Sequence, residues 1–210
     1  MSEELGKIEK PTTDEFKKGR KLYFVPLIYC GKEAPSDYIE KYNEYWQQVK
    51  NIIIDLESKL GKVDRIYHEL IPMGGKDGSK AIKELNKQSY LIVKPSLDKG
   101  AQLETIEESE LLTEFIDWNK CLATGLQNQR VFIQIYQSFT DTSKKRNEYC
   151  AAQIDKTLKS DEIGILLMRE GHQIQFSSDI QVFYVSPPAL DELKRWFRDR
   201  ETETSEASGD

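Results

Sequence analysis

Histidine is scarce in this chain. His68 and His172 are the only two, and three cysteines, Cys30, Cys121 and Cys150, stand far apart. No CxxC pair exists, so neither a zinc ribbon nor a thioredoxin-like site is supported. An odd, scattered set of thiols fits a reduced, cytoplasmic setting. No apolar stretch approaches the roughly 20 residues that span a bilayer. The first residues, MSEELGKIEK, carry no apolar signal core. No membrane partner is therefore expected. Cationic excess is also missing, because 36 acidic residues outnumber 30 basic ones and the net charge is −6. Nucleic-acid binding needs clustered Lys and Arg, so nucleic acid is not expected as a partner. The short runs Lys17-Lys18 and Lys144-Lys145-Arg146 read as solvated faces.

Several catalytic signatures are absent too. GGKDGSK, residues 74–80, is neither a Walker A loop nor GxGxxG, and reads as a flexible connection that alternatively could hold phosphate. HELIP, residues 68–72, is not the zinc-protease HExxH, since Pro72 fills the second histidine position. No G-x-S-x-G elbow occurs. No motif specifies a cofactor, and the metal, if there is one, is unknown.

What is present is 38% hydrophobic sequence over 210 residues, enough for one compact domain. The expected organisation is a flexible N-terminal arm over 1–20, a single α/β domain over 21–200 and a disordered acidic tail over 201–210. KLYFVPLIYC, residues 21–30, reads as a buried strand ended or bulged at Pro26. A long helix follows Pro35, with a stripe at Ile39, Tyr42, Trp46, Val49, Ile53, Leu56 and Leu60 that Gly61 terminates. VDRIYHELI, residues 63–71, is a second strand, and the strand–helix–strand order implies parallel pairing. A helix starts near Ser79, and YLIVKP, residues 90–95, fits strand by composition and helix by its flanks. Two helices follow. The first, Ile106 to Ala123, has Leu112, Phe115, Trp118 and Leu122 on one face. The second, Asn128 to Lys159, carries Phe132, Ile135, Phe139, Cys150, Ile154 and Leu158. IGILLM, QIQF and IQVFYV read as strands, and ALDELKRWFRDR as a terminal helix. The fold class is α/β: a layered, mostly parallel or mixed central sheet flanked by long helices.

Arg146 is the most informative residue. It falls on the buried stripe through Ser143, Cys150 and Ile154, so it either points inward to a carboxylate or anion, or reaches water from the stripe's edge. His68 and Glu69 end the second strand, where open α/β sheets build ligand crevices. Alternation sends them to opposite faces. His172 follows Gly171 and is either the turn of a β-hairpin or a general base or metal ligand. Asn147, beside Arg146, is a further ligand-binding candidate alongside His68. Cys150, on an apolar helix face, reads as inert.

The order of these features resembles the superfamily of TraB-type proteins, ChaN-like haem-binding proteins and erythromycin-esterase-like proteins. YHE, residues 67–69, supplies its glutamate as Glu69, KKRNEY, residues 144–149, its arginine as Arg146, and GILLMREGH, residues 164–172, its last histidine as His172. The match spans about residues 21–185 and departs at two places. Tyr29-Cys30-Gly31 stands where the pattern has histidine, and Arg169 stands where it has glycine. The resemblance implies a hydrolase, with Glu69 and His172 as acid/base or metal ligands and Arg146 holding an anionic group. With its first histidine missing, it alternatively implies a degenerate site kept for binding.

Two functions are thus expected. One is a hydrolase-like protein with a strand-end pocket of Glu69, Arg146 and His172, taking a small anionic ligand. The other is a non-catalytic binding or regulatory protein, with a homodimer among its expected forms, in which Leu193, Trp196 and Phe197 of the terminal helix offer a partner surface or cap the core.

Overall fold

The computed structural model describes residues 18–207, with side chains to residue 200. Most of the expected N-terminal arm and residues 208–210 lie outside the described residues. The elements run β1 (Arg20–Pro26), α1 (Ser36–Leu60), β2 (Arg65–His68), α2 (Gly75–Leu85), α3 (Lys87–Asp98), β3 (Gln102–Glu104), α4 (Ser109–Ala123), α5 (Gln129–Thr157), β4 (Ile163–Met168), β5 (Ile180–Tyr184) and α6 (Pro188–Ala207). The five strands lie in the order β3-β2-β4-β1-β5, and every pairing is parallel. The fold is therefore α/β and layered. Its central strands β4 and β1 are apolar runs buried on both faces, as parallel strands between helix layers require.

One face of the sheet packs on α1, with Ile82 of α2, Val93 of α3 and Leu190 and Leu193 of α6. The other face is covered by Cys150 and Ile154 of α5, with Leu158 just beyond it. In α1 the expected stripe holds at Tyr42, Trp46, Val49 and Ile53 and differs at its first turns. Tyr38 and Tyr45 are buried, while Ile39 is exposed. The rings are buried because their hydroxyls find carbonyls: Tyr38 Oη donates to Tyr29 O at 2.6 Å, and Tyr45 Oη to Pro26 O.

The expected hairpin around His172 does not form. β1 lies between β4 and β5, and both pair with it in parallel. A hairpin needs antiparallel neighbours. QIQF, expected as a strand, belongs to the helix-free crossing from β4 to β5, where Ile174 and Phe176 pack on the α5 face. YLIVKP lies in α3, whose first turn is capped by Asn86 accepting from Gln88 and Ser89 N–H groups. β2 is shorter than expected because the chain turns at Leu70, which has φ 66°. β3, only three residues long, was not legible as a strand. The helix expected from Ile106 begins at Ser109, because Glu108 caps it by accepting from Glu110 and Leu111 N–H groups.

Leu193 is fully buried and Trp196 packs partly buried against the core, its Nε1–H donating to Asp37 at 2.6 Å. The terminal helix therefore caps the core, and of the expected partner surface only Phe197 stays exposed. Helix α6 continues to Ala207, into the stretch expected as an unstructured tail. A helix already docked propagates through Glu and Ala at little cost.

The glycine loop is not a flexible tether. Gly75 opens α2, and an added Cβ at Gly78 would stand 2.3 Å from Met73 O and 2.7 Å from Leu103 Cδ2. The backbone of α2 and its preceding turn meet here without room for a side chain. Gly78→Ala is expected to destabilise the fold by about 1–3 kcal/mol through overpacking, read as a lower urea midpoint at unchanged slope.

A candidate ligand cavity at the strand ends

The chain leaves β1 over the α1 face and leaves β4 over the α5 face. These adjacent strands send their connections to opposite sides, which opens a crevice at their carboxyl ends. Four of the expected residues line a cavity of about 480 Å³ there: Glu69, Arg146, Asn147 and His172. Arg169, Lys144, Phe115, Tyr136 and Phe139 complete its working surface.

Arg146 points inward, with its side chain only 7% exposed. Burial alone would oppose its charge, and two carboxylates reverse that. Nε donates to Glu107 Oε2 at 2.8 Å, and Nη2 donates to Glu107 Oε1 and to Glu69 Oε1, the latter at 3.2 Å. The net effect holds its pKa above the ordinary guanidinium value. Its guanidinium also lies over the Phe115 ring at 4.5 Å, a cation–π contact in a desolvated setting. The alternative in which Arg146 reaches water is excluded.

Glu69 is as deeply buried. Its Oε2 accepts from Arg169 N–H at 2.9 Å and its Oε1 accepts from Arg169 Nε at 3.0 Å, besides Arg146. Burial raises its pKa, but Arg169, Arg146 and the Arg169 N–H outweigh that and leave it below the usual carboxylate range. Glu69 is thus an ionised anchor for two guanidinium groups, with both oxygens engaged. That favours positioning over proton transfer.

Glu107 and Arg169 were missed in the sequence. Glu107 is fully buried, and its Oε1 also accepts from Leu70 N–H at 2.9 Å. The signal was indirect: a buried guanidinium demands a carboxylate, and Glu108 caps α4, which leaves Glu107 free to turn inward. Arg169, at the lip, has a side chain 46% exposed. It stood in the sequence only as a departure from a glycine.

His172 shares the cavity but bonds neither Glu69 nor Arg146. Its Nδ1 accepts from Ile174 N–H at 3.2 Å, which places the proton of the neutral ring on Nε2. The ring packs against Phe24 at 4.8 Å and Phe176 at 5.9 Å. Burial lowers its pKa, and Glu69 partly opposes this. His68, expected to bind ligand, does not line the cavity. It is buried away from it, with Nδ1–H donating to Glu69 O at 2.6 Å and Nε2 accepting from Ser89 Oγ at 3.0 Å. Burial drives its pKa down to about 4. Cys150 donates to Ile106 O at 3.0 Å, and burial pushes its thiol up to about 12, so it is no nucleophile.

Among the described residues, no group of three or more His, Cys, Asp or Glu side chains is arranged to hold a metal ion. No described helix is long and apolar enough to cross a membrane. Compared with protein-family models, curated proteins and solved structures, the chain shows no match.

Arg146→Met strands two buried carboxylates and is expected to cost about 3–5 kcal/mol, measured by urea denaturation at neutral pH. His68 is neutral in the folded state and free to protonate when unfolded. Its contribution is therefore present above about pH 6.5 and is lost as the pH falls toward its folded value of about 4. The loss amounts to about 3 kcal/mol. In His68→Gln the stability profile between those two pH values should be flatter than in the wild type.

Proposed function

We propose that the chain is a non-catalytic binding protein whose strand-end cavity takes a small ligand bearing a phosphate or carboxylate group. The observation that carries this reading is Arg169. Its guanidinium is half exposed at the cavity lip and oriented by a carboxylate that Arg146 already neutralises in part. Among the charged residues lining the cavity, Lys144, Arg146 and Arg169 face Glu69 alone. Counting Glu107 behind the wall and Glu148, which lies 3.9 Å from Lys144 Nζ, the charges balance, so the donors that Arg169 presents rather than a net positive charge favour an anion. His172 Nε2–H and the Asn147 amide add neutral donors, which suit an oxyanion. An incoming anion would meet charges that are fixed before it arrives, so little reorganisation opposes binding. From the TraB-type resemblance this proposal keeps only the degenerate alternative: a site of that residue pattern kept for binding.

A hydrolase is the second reading, favoured by the neutral imidazole of His172 within the same cavity. It requires turnover of a chromogenic phosphate or acetate ester that His172→Gln abolishes.

Calorimetric titration with inorganic phosphate and with acetate tests the binding proposal. Wild type is expected to bind at least one of them, and Arg169→Gln to weaken that binding by at least about tenfold. The melting temperature should move little, because Glu69 keeps Arg146. No binding of either anion at about 10 mM, or binding indifferent to Arg169→Gln, overturns it.

A further inference from the structure

The wall that α5 gives the strand-end cavity changes character along the helix. At the guanidinium end Phe115 of α4 is buried, with Arg146 Cζ 4.5 Å and Arg169 Cζ 5.7 Å from its ring centroid. Phe139 stacks on Phe115 at 5.4 Å and is half-buried. Tyr136, one turn earlier on α5, lines the same cavity and is 54% exposed. Thr140 and Ser143 stand between Tyr136 and the guanidinium groups. Their hydroxyls donate to carbonyls one turn back, Tyr136 O at 2.8 Å and Phe139 O at 2.6 Å, which leaves their oxygens able to accept. From Tyr136 to Arg146, about 15 Å of helix, one face thus presents an aromatic ring, then hydroxyls, then guanidinium. Arg169 belongs to that last position, because it shares Glu69 Oε1 with Arg146.

A lone exposed aromatic side chain needs no explanation, but one that continues the wall of a charged cavity does. Small-ligand sites join aromatic walls to a few fixed polar groups, and this cavity has both. Its other end differs. Past Asn147 it runs into a smaller cavity of about 350 Å³, which shares Lys144, Asn147 and Gln173 with it and adds Gln175. Gln173 and Gln175 are exposed, and water already serves their amides, so covering them gains little. Covering the Tyr136 ring removes apolar surface from water, so the body of a ligand anchored at Arg169 is drawn toward the aromatic end.

We propose that the ligand of this cavity is a nucleoside monophosphate, with its phosphate on Arg169, its sugar over Thr140 and Ser143 and its base stacked on Tyr136. The inference rests on the anion reading above and narrows it to one class of ligand. Length selects the class. A ring bonded directly to its acid reaches Phe139 and falls short of Tyr136, whereas base, sugar and phosphate in line cover the whole face. Chemistry agrees at each position. The guanidinium of Arg169 presents forked donors to phosphate oxygens. The Thr140 and Ser143 oxygens accept from sugar hydroxyls, which an aliphatic spacer would leave unused. The base covers the Tyr136 ring, and Phe132, stacked against that ring at 5.9 Å, orients it from the preceding turn.

Calorimetric titration of the full chain with adenosine monophosphate, ribose-5-phosphate and inorganic phosphate tests the inference. Wild type is expected to bind adenosine monophosphate at least about fivefold more tightly than ribose-5-phosphate, the gain that stacking one base supplies. Tyr136→Ser is expected to abolish that difference, with inorganic phosphate affinity within about twofold of wild type and the melting temperature unchanged, since Tyr136 is exposed. Tyr136→Phe keeps the ring and is expected to keep the difference. Ribose-5-phosphate binding as tightly as adenosine monophosphate overturns the inference, and so does a difference that survives Tyr136→Ser. In either case the anion reading stands if Arg169→Gln still weakens phosphate binding. Adenosine monophosphate binding that is indifferent to Arg169→Gln, or no binding of any of the three at about 10 mM, strikes the anion reading and this inference with it.

Discussion

A guanidinium sealed beneath the strand ends is the constraint around which this molecule is built. An Arg side chain cannot shed its proton, so burying Arg146 obliges the fold to bring negative charge to it. Two carboxylates answer from different parts of the chain, Glu69 from the end of β2 and Glu107 from just before α4. The pairings fix where α5 sits against the sheet and where α4 departs from it. They also set the stage for Arg169, which Glu69 aims from the other side. One buried cation thus organises three connections and leaves a second, more accessible cation at a cavity mouth.

The amino ends of the strands show the contrast. There Arg65 bonds Glu162 through two nitrogens at 2.9 Å, together with Glu104, and Arg20 bonds Asp155 and Asp179. These are also Arg–carboxylate networks, but the aspartates are exposed. Such pairs pin strands and helix ends together at modest net gain. The carboxyl end differs because its network is dry and because diverging connections leave space above it. The same side-chain chemistry serves as a clip at one end and lines a cavity at the other.

How much of this was legible in the sequence varied with the range of the interactions involved. β4 announced itself through IGILLM, since a continuous apolar run has few other uses, and helical periodicity put Arg146 on the buried stripe of α5 while leaving open whether it turned inward or reached water. Glu69, Arg146, Asn147 and His172, each a candidate by its place in the sequence, all line one cavity. The misses were long-range or conformational. His172 looked like a hairpin turn because local sequence cannot reveal that β1 will insert between β4 and β5. His68 looked like a site residue because a strand end is a shared address for both faces, and only packing decided that its ring would meet Ser89. Glu107 was hidden in an acidic stretch where nothing local separates the inward carboxylate from its neighbours. Tyr38 and Tyr45 were passed over because a hydroxyl counts against burial until its carbonyl partner is known.

Leu70 carries a consequence of its own. It sits at φ 66°, a left-handed conformation that costs a non-glycine residue roughly 1–2 kcal/mol. Its N–H is held by the same Glu107 oxygen that grips Arg146. The bend after β2 is therefore latched by the residue that leads into α4. If α4 swings away at its start, the latch opens, the bend loses its restraint and the buried guanidinium loses its closest counterion together. These parts should breathe as one cooperative unit.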